Sequence, residues 1–240
     1  MRVKVVIAYD GASFRGFQKQ KSTKQTITTA IEEALISVGI RNEIRGSGRT
    51  DAGVHATGQV IDFELPIYWQ DLTKLKEVLN RKLKHISFKH ISKVEDNFHA
   101  RFSAKRRIYR YIFKTTTPSI FENRYIAHYP QFNQEFLKES LKSFEGEHDF
   151  SNFLKRGTIT HTNIRTIYRA YYKKYNNYHI IYFEANGFLR SQVRIMVEFA
   201  MQVALKKLTI QQQLEQLSLK EKYNIKLAPP EGLYLARIIY

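Results

Sequence analysis

The hydrophobic period along the first 94 residues switches in a fixed order, and that order leaves few folds open. Val3, Val5, Ile7 and Tyr9 alternate with other residues, which predicts a half-buried strand ended by the turn pair Asp10-Gly11. Ser22 with Gln25 predicts a capping box, and Ile27, Ile31, Ala34, Leu35 and Val38 then recur at helical spacing until Gly39. A short strand is expected near Glu43–Arg45 and another over Gln59–Glu64, with Val60 and Asp62 on one face and Ile61 and Phe63 on the other. A second helix spans about 71–84 through Leu72, Leu75, Val78, Leu79 and Leu83, and a strand at 86–94 closes the set. The order β-α-β-β-α-β is the split ferredoxin-like pattern.

A second α+β half follows. The segment Lys105-Arg-Arg-Ile-Tyr-Arg-Tyr111 alternates, with phenols on one face and a mixture of aliphatic and basic groups on the other. A helix fits 133–145 with Asn133 as cap, and strands at 164–175 and 178–186 face each other across Asn176-Asn177. A helix runs through Val193, Met196, Val197, Ala200 and Ala204, and carries Arg190 and Arg194 one turn apart near its start. Cations there oppose the helix dipole, so their placement points to an anionic partner. A helix near 209–218 and a strand at 233–239 end the chain. The expected division is a ferredoxin-like domain at 1–100 and a second α+β domain at 101–240.

Between the two central strands of the first half lies Gly46-Ser-Gly-Arg-Thr-Asp-Ala-Gly-Val-His-Ala-Thr-Gly-Gln59, which holds four of the chain's 11 glycines. Such a segment packs few side chains, yet its backbone reaches φ > 0 and approaches other molecules closely. Arg49 and Asp51 stand two residues apart and project to the same side in extended backbone. A neighbouring cation favours the ionised carboxylate, the form that serves as nucleophile or base. An ordinary surface ion pair is the plainer reading of the same two residues. Gly11-Ala-Ser-Phe-Arg-Gly16 has the glycine spacing of a phosphate-binding loop, but Phe17-Gln18 follows in place of Lys and Ser/Thr, so that chemistry is missing.

Lys and Arg total 39 against 22 Asp and Glu, a net charge of +17, and 15 Tyr and 16 Phe are interspersed. Basic charge mixed with stackable rings favours nucleic acid over lipid as the polyanionic partner. The absence of cysteine excludes disulfides and thiolate metal sites and suits a reducing cytoplasm. The eight histidines show no zinc spacing, so no metal is expected. Met1 leads directly into an alternating strand rather than a signal peptide, and no apolar run has the length of a membrane span.

Six blocks in order resemble the tRNA pseudouridine synthases of the TruA type. Tyr9-Asp-Gly-Ala-Ser-Phe-Arg-Gly-Phe-Gln18 is similar to the first, with Phe17 where Trp is usual, and Gly48-Arg-Thr-Asp-Ala-Gly-Val-His-Ala56 matches the catalytic block in full. Phe98-His-Ala-Arg101 with Arg107-Ile-Tyr-Arg-Tyr111, then Gly146-Glu-His-Asp-Phe-Ser151, Gly187-Phe-Leu-Arg-Ser-Gln-Val-Arg194 and Ala228-Pro-Pro-Glu-Gly-Leu-Tyr-Leu235, complete the series. Leu83-Lys84 departs from an expected Leu-Pro in a connecting loop.

The resemblance implies two ferredoxin-like halves with a joined, mainly antiparallel sheet, a basic cleft between them, and a homodimer. It implies isomerisation of uridine to pseudouridine at positions 38, 39 or 40 of the tRNA anticodon stem-loop, without cofactor or metal. Asp51 is then the catalytic carboxylate, and Arg49 helps hold the target nucleotide out of its stack. Tyr109 packs against the uracil, and Arg194 pairs with Asp51. Arg15, Arg101 and Arg110 are expected RNA contacts. Unaided by the family, Tyr109 reads as a packing residue and Arg194 as a solvated charge. His55 and His148 read as structural hydrogen-bonding groups. Charge and aromatic content alone fit a non-catalytic RNA-binding or chaperone protein equally well, and a pseudouridine synthase for another RNA is the third reading.

Overall fold

The computed structural model describes residues 1–155, 157 and 160–240. They divide into two compact units, Met1–Lys105 together with Tyr234–Tyr240, and Arg106–Leu233. The chain is α+β, with mainly antiparallel strand pairing and five α-helices among the described residues.

In the first unit, β1 (Arg2–Tyr9) buries Val3, Val5, Ile7 and Tyr9 as the alternation predicts. Helix α1 (Ile27–Ile36) is capped by Thr26, whose hydroxyl accepts from the Thr29 amide at 3.2 Å. The expected Ser22/Gln25 box does not form. Gln25 instead donates its side-chain amide to the Ser13 carbonyl at 3.0 Å, and that tie delays the helix by one turn. At the other end Gly39, at φ +84°, turns the chain so that the Ile40 amide reaches the Leu35 carbonyl.

The strand β2 (Arg45–Gly46) pairs antiparallel with the end of β3 (His55–Glu64), which pairs along its other edge with β1. Helix α2 (Leu72–Lys82) starts at the Asp71 cap and packs Leu75 and Leu79 inward. Asn80 joins it to β4 (Ile86–Lys93), accepting from the Phe88 amide at 2.7 Å and donating to the Phe88 carbonyl at 3.0 Å. Strand β4 completes the sheet on the far side of β1. The first four strands stand in the order 4-1-3-2, as a ferredoxin-like unit requires.

In the second unit, β5 (Arg106–Lys114) carries β6 (Ala127–His128) parallel at one end. Helix α3 (Gln134–Ser143) begins at Asn133, whose side chain accepts from the amides of Glu135 and Phe136. Strands β7 (Gly146–Asp149), β8 (Ile164–Tyr175) and β9 (Tyr178–Ala185) follow, giving the antiparallel order β5-β9-β8-β7. The β8–β9 turn places Asn176 at φ 53°, a conformation that Asn tolerates. Helix α4 (Gln192–Ala204) is buried along nearly its whole length, and α5 (Ile210–Leu217) opens on a Thr209/Gln212 capping box. Arg190 lies ahead of α4 rather than on it, because Ser191 takes a left-handed turn at φ 59° before the first helical residue.

The closing strand β10 (Leu233–Ile239) returns to the first unit, where Tyr234 and Leu235 pair in parallel with His55 and Ala56 of β3. Gly58 makes that approach feasible, since a Cβ there would lie 2.2 Å from the Ala236 carbonyl oxygen. This pairing also explains why β3 begins at His55, four residues earlier than the alternation suggests.

Candidate active site

The glycine-rich segment is held at both ends by side chains of β3. Gln59, fully buried, accepts from the Ser47 hydroxyl at 2.6 Å and donates to the Gly48 carbonyl at 2.8 Å. His55 is also buried, stacks on Tyr234 at 4.8 Å between centroids, and accepts at Nδ1 from the Gly11 amide at 3.0 Å. That bond ties His55 to the turn after β1, with an Asp10 carboxylate oxygen 3.4 Å from the same nitrogen. Between these anchors Arg49 is exposed, Thr50 is buried and Asp51 is half-buried.

The residues that follow β1 support the loop from behind. The Phe17 amide donates to the Thr50 carbonyl at 3.1 Å, and the Phe17 ring fills the space that a side chain at Gly46 would need. Gly16, at φ +107°, brings its backbone against Thr50, Asp51 and Ala52; an added Cβ would stand 3.1 Å from the Thr50 oxygen. Beyond Asp51, the Val54 amide donates to the Asp51 carbonyl at 3.2 Å, closing a turn that Gly53 permits at φ +79°. The Asp51 carboxylate therefore projects from a stretch of backbone fixed on both sides. The exposed Arg49 guanidinium is turned to solvent.

Arg15 precedes this support and is exposed, its amide bonded to the Gln25 carbonyl at 2.8 Å. Arg101 is exposed too, its guanidinium 5.5 Å from the Phe102 ring centroid. The Arg101 segment is tied down by a group that the alternation of β3 does not mark as special. Asp62, completely buried, accepts from the Ala100 amide at 2.8 Å and from Arg2 at 2.9 Å, and pairs with Arg45. Burial raises its pKa, against the opposing pull of the Ala100 amide, His99 and Arg2. The available signal was a lone carboxylate inside an apolar strand, with basic residues at positions 2 and 45.

In the second unit, the phenol face of β5 turns inward. Tyr109 packs edge-on to Phe188 at 5.2 Å, and Tyr111 is fully buried and donates to the Pro229 carbonyl at 3.1 Å. Burial pushes the Tyr111 phenol well above its ordinary range. Arg110, on the other face, is half-buried opposite Tyr182 of β9. Arg194 occupies the first turn of α4, where its Nε donates to the Ala228 carbonyl at 2.7 Å and its own carbonyl accepts from the Ala228 amide at 3.1 Å. It is thus a held side chain rather than a solvated one. The first unit brings Arg15, Arg49 and Asp51 into one connected stretch, with Arg101 anchored through Asp62; Tyr109, Arg110 and Arg194 stand in the second unit.

No group of three or more His, Asp or Glu side chains able to hold a metal ion occurs among the described residues. A family model described as tRNA pseudouridine synthase matches residues 5–103 and 141–240. The tRNA pseudouridine synthase A of Wolinella succinogenes is 36% identical over 235 residues, covering 98% of this chain and 92% of that protein. The proteins of that name from Helicobacter hepaticus and Campylobacter jejuni are each 39% identical, covering 99% and 100% of this chain and 98% and 100% of theirs. By motif order, matched length and identity, this chain belongs to the tRNA pseudouridine synthase family.

Proposed function

We propose that this chain isomerises uridine to pseudouridine in the anticodon stem-loop of tRNA, at positions 38, 39 or 40, with Asp51 as its nucleophile. The observation that carries the reading is the half-buried Asp51 side chain on a backbone pinned at Thr50 and at its own carbonyl. The reaction breaks the bond between C1′ and N1, forms one between C1′ and C5, and moves the C5 proton to solvent while N1 gains one. It balances without electrons or a donor group, so no cofactor is required. A preformed carboxylate suits either attack on the sugar carbon or addition to the uracil ring.

The target base must leave its stack at a cost of a few kcal/mol. Arg49, exposed beside the nucleophile, offers a phosphate contact that offsets that cost, and Arg15, Arg101 and Arg110 extend the basic contacts. Tyr109 and Arg194 are assigned the uracil-packing and carboxylate-supporting roles by the motifs they occupy. The proposed form is a homodimer acting on tRNA in the cytoplasm. No helix among the described residues is long and apolar enough to cross a membrane.

Asp51→Asn keeps the size and most hydrogen bonds of the side chain but removes its nucleophilicity. It should abolish pseudouridine formation, mapped after digestion of incubated tRNA, while tRNA binding survives. Normal turnover by that variant would overturn the mechanism. Unmodified tRNA with the wild-type protein, alongside modified ribosomal RNA, would redirect the substrate.

A further inference from the structure

We infer that the Tyr9 hydroxyl is a positioning group for the reaction, acting on Asp51 through Thr50; the inference rests on the proposed role of Asp51. Tyr9 ends β1 and is almost completely buried, as is Thr50. Their hydroxyl oxygens lie 2.8 Å apart, across 41 residues of sequence. A buried phenol oxygen needs a hydrogen-bond partner, and the partner taken here is the side chain of the residue before the nucleophile.

The peptide plane before Asp51 is held at the Thr50 carbonyl by the Phe17 amide, and the plane after it at the Asp51 carbonyl by the Val54 amide. Those two bonds fix the direction of the planes but leave the Thr50 side chain, and with it the depth at which the loop sits, to be set separately. The Tyr9–Thr50 bond sets it. Tyr9 is itself fixed by β1, paired opposite Ala56 of β3 and Ile86 of β4, so the hydroxyl is delivered from the most constrained strand of the unit. Gly16, Phe17 and Tyr9 all belong to the first motif block, which gives that block a purpose other than substrate contact. Those three residues act on the catalytic loop from behind, while Arg15 of the same block is exposed.

Tyr9→Phe removes one oxygen and keeps the ring. It should lower kcat on a tRNA transcript about tenfold, as the loss of one buried hydrogen bond translates into rate, with KM and tRNA affinity unchanged. Thr50→Val should reproduce the effect from the other side, and Thr50→Ser, which keeps the oxygen, should restore wild-type kcat. The double variant Tyr9→Phe/Thr50→Val should be no slower than either single one. A wild-type kcat in Tyr9→Phe, or additive losses in the double variant, would overturn the inference. So would a loss that appears equally in KM and in thermal stability, which marks a merely structural hydroxyl.

Hydrogen exchange gives a readout that does not depend on turnover. The Phe17 and Val54 amides should exchange faster in Tyr9→Phe while amides of β4 do not change; unaltered exchange at both positions would count against the inference. A wild-type protein that forms no pseudouridine would defeat the proposed reaction and leave that exchange result standing.

Discussion

Asp62 shows how far one side chain can reach into a site it does not enter. Its carboxylate is sealed from water, and Arg2, Arg45, the Ala100 amide and the nearby His99 compensate its charge. Asp62→Ala leaves the Ala100 amide without its acceptor and Arg2 and Arg45 with only their contacts to Glu64 and to the Phe98 carbonyl. Because Arg45 is 39% exposed and can rehydrate, the loss should fall toward the lower end for broken buried pairs, about 2–3 kcal/mol in a denaturant titration. The same variant should loosen the Ala100–Arg101 segment and raise KM for tRNA more than it lowers kcat. Gly16→Ala tests the loop's rear support. At φ +107° and 3.1 Å from the Thr50 oxygen, the new methyl group should cost roughly 1–3 kcal/mol and depress kcat. Asp51 drew notice in the sequence as a carboxylate two residues from Arg49 in a glycine-rich loop, and the motif block Gly48–Ala56 assigned it the catalytic role. The roles of Asp62 and Tyr9 were not legible there, since the Asp62–Ala100 and Tyr9–Thr50 contacts span 38 and 41 residues, which no local pattern encodes.

At the scale of elements, periodicity located the long ones and capping chemistry located fewer of their ends. Asn133 caps the helix that follows it as expected, the Thr209/Gln212 box of α5 was not foreseen, and Ser22 gives way to Thr26, with Gln25 bonded to the Ser13 carbonyl. Strands β6 and β7 went unpredicted because two and four residues are too few to display alternation. The turn between β5 and β6 is instead organised by charge. Glu122 accepts from Lys114 at 2.6 Å, from Tyr178 at 2.9 Å, and from both the amide and the hydroxyl of Ser119 at 3.0 Å. These bonds, Lys114 foremost, hold its carboxyl near 2 in place of 4.5. A depressed folded-state value stabilises the fold above 4.5, and that contribution is lost as pH falls toward 2. Glu122→Gln should therefore flatten the acid limb of a melting-temperature profile in that window while leaving neutral turnover unchanged. An identical acid limb in both proteins would show that the cluster is not linked to folding.

At the scale of the whole chain, what the sequence conceals is the destination of its last strand. Residues 233–239 read as a strand from their own alternation, but nothing local announces that Tyr234 pairs with His55 and that the segment joins the first unit. Parallel pairing across so long a separation is decided by tertiary fit, here by the gap left at Gly58. Net charge is the opposite case, legible at once and a property of no single residue. At +17 the protein carries its excess cations largely on exposed Lys and Arg, where they meet mobile counterions rather than carboxylates. Binding of tRNA then releases ions condensed on the phosphates, and affinity falls with the logarithm of salt by close to one power per neutralised phosphate. Several contacts should make the dissociation constant rise roughly tenfold or more for each few-fold increase in salt. Arg49→Ala, which removes one exposed cation beside the nucleophile, should lower that slope by about one, whereas Asp51→Asn should leave it unchanged. A filter-binding titration across salt tests both variants against the wild type. A flat dependence would mean that the surplus charge is not spent on the RNA backbone and that recognition is carried by rings and base edges.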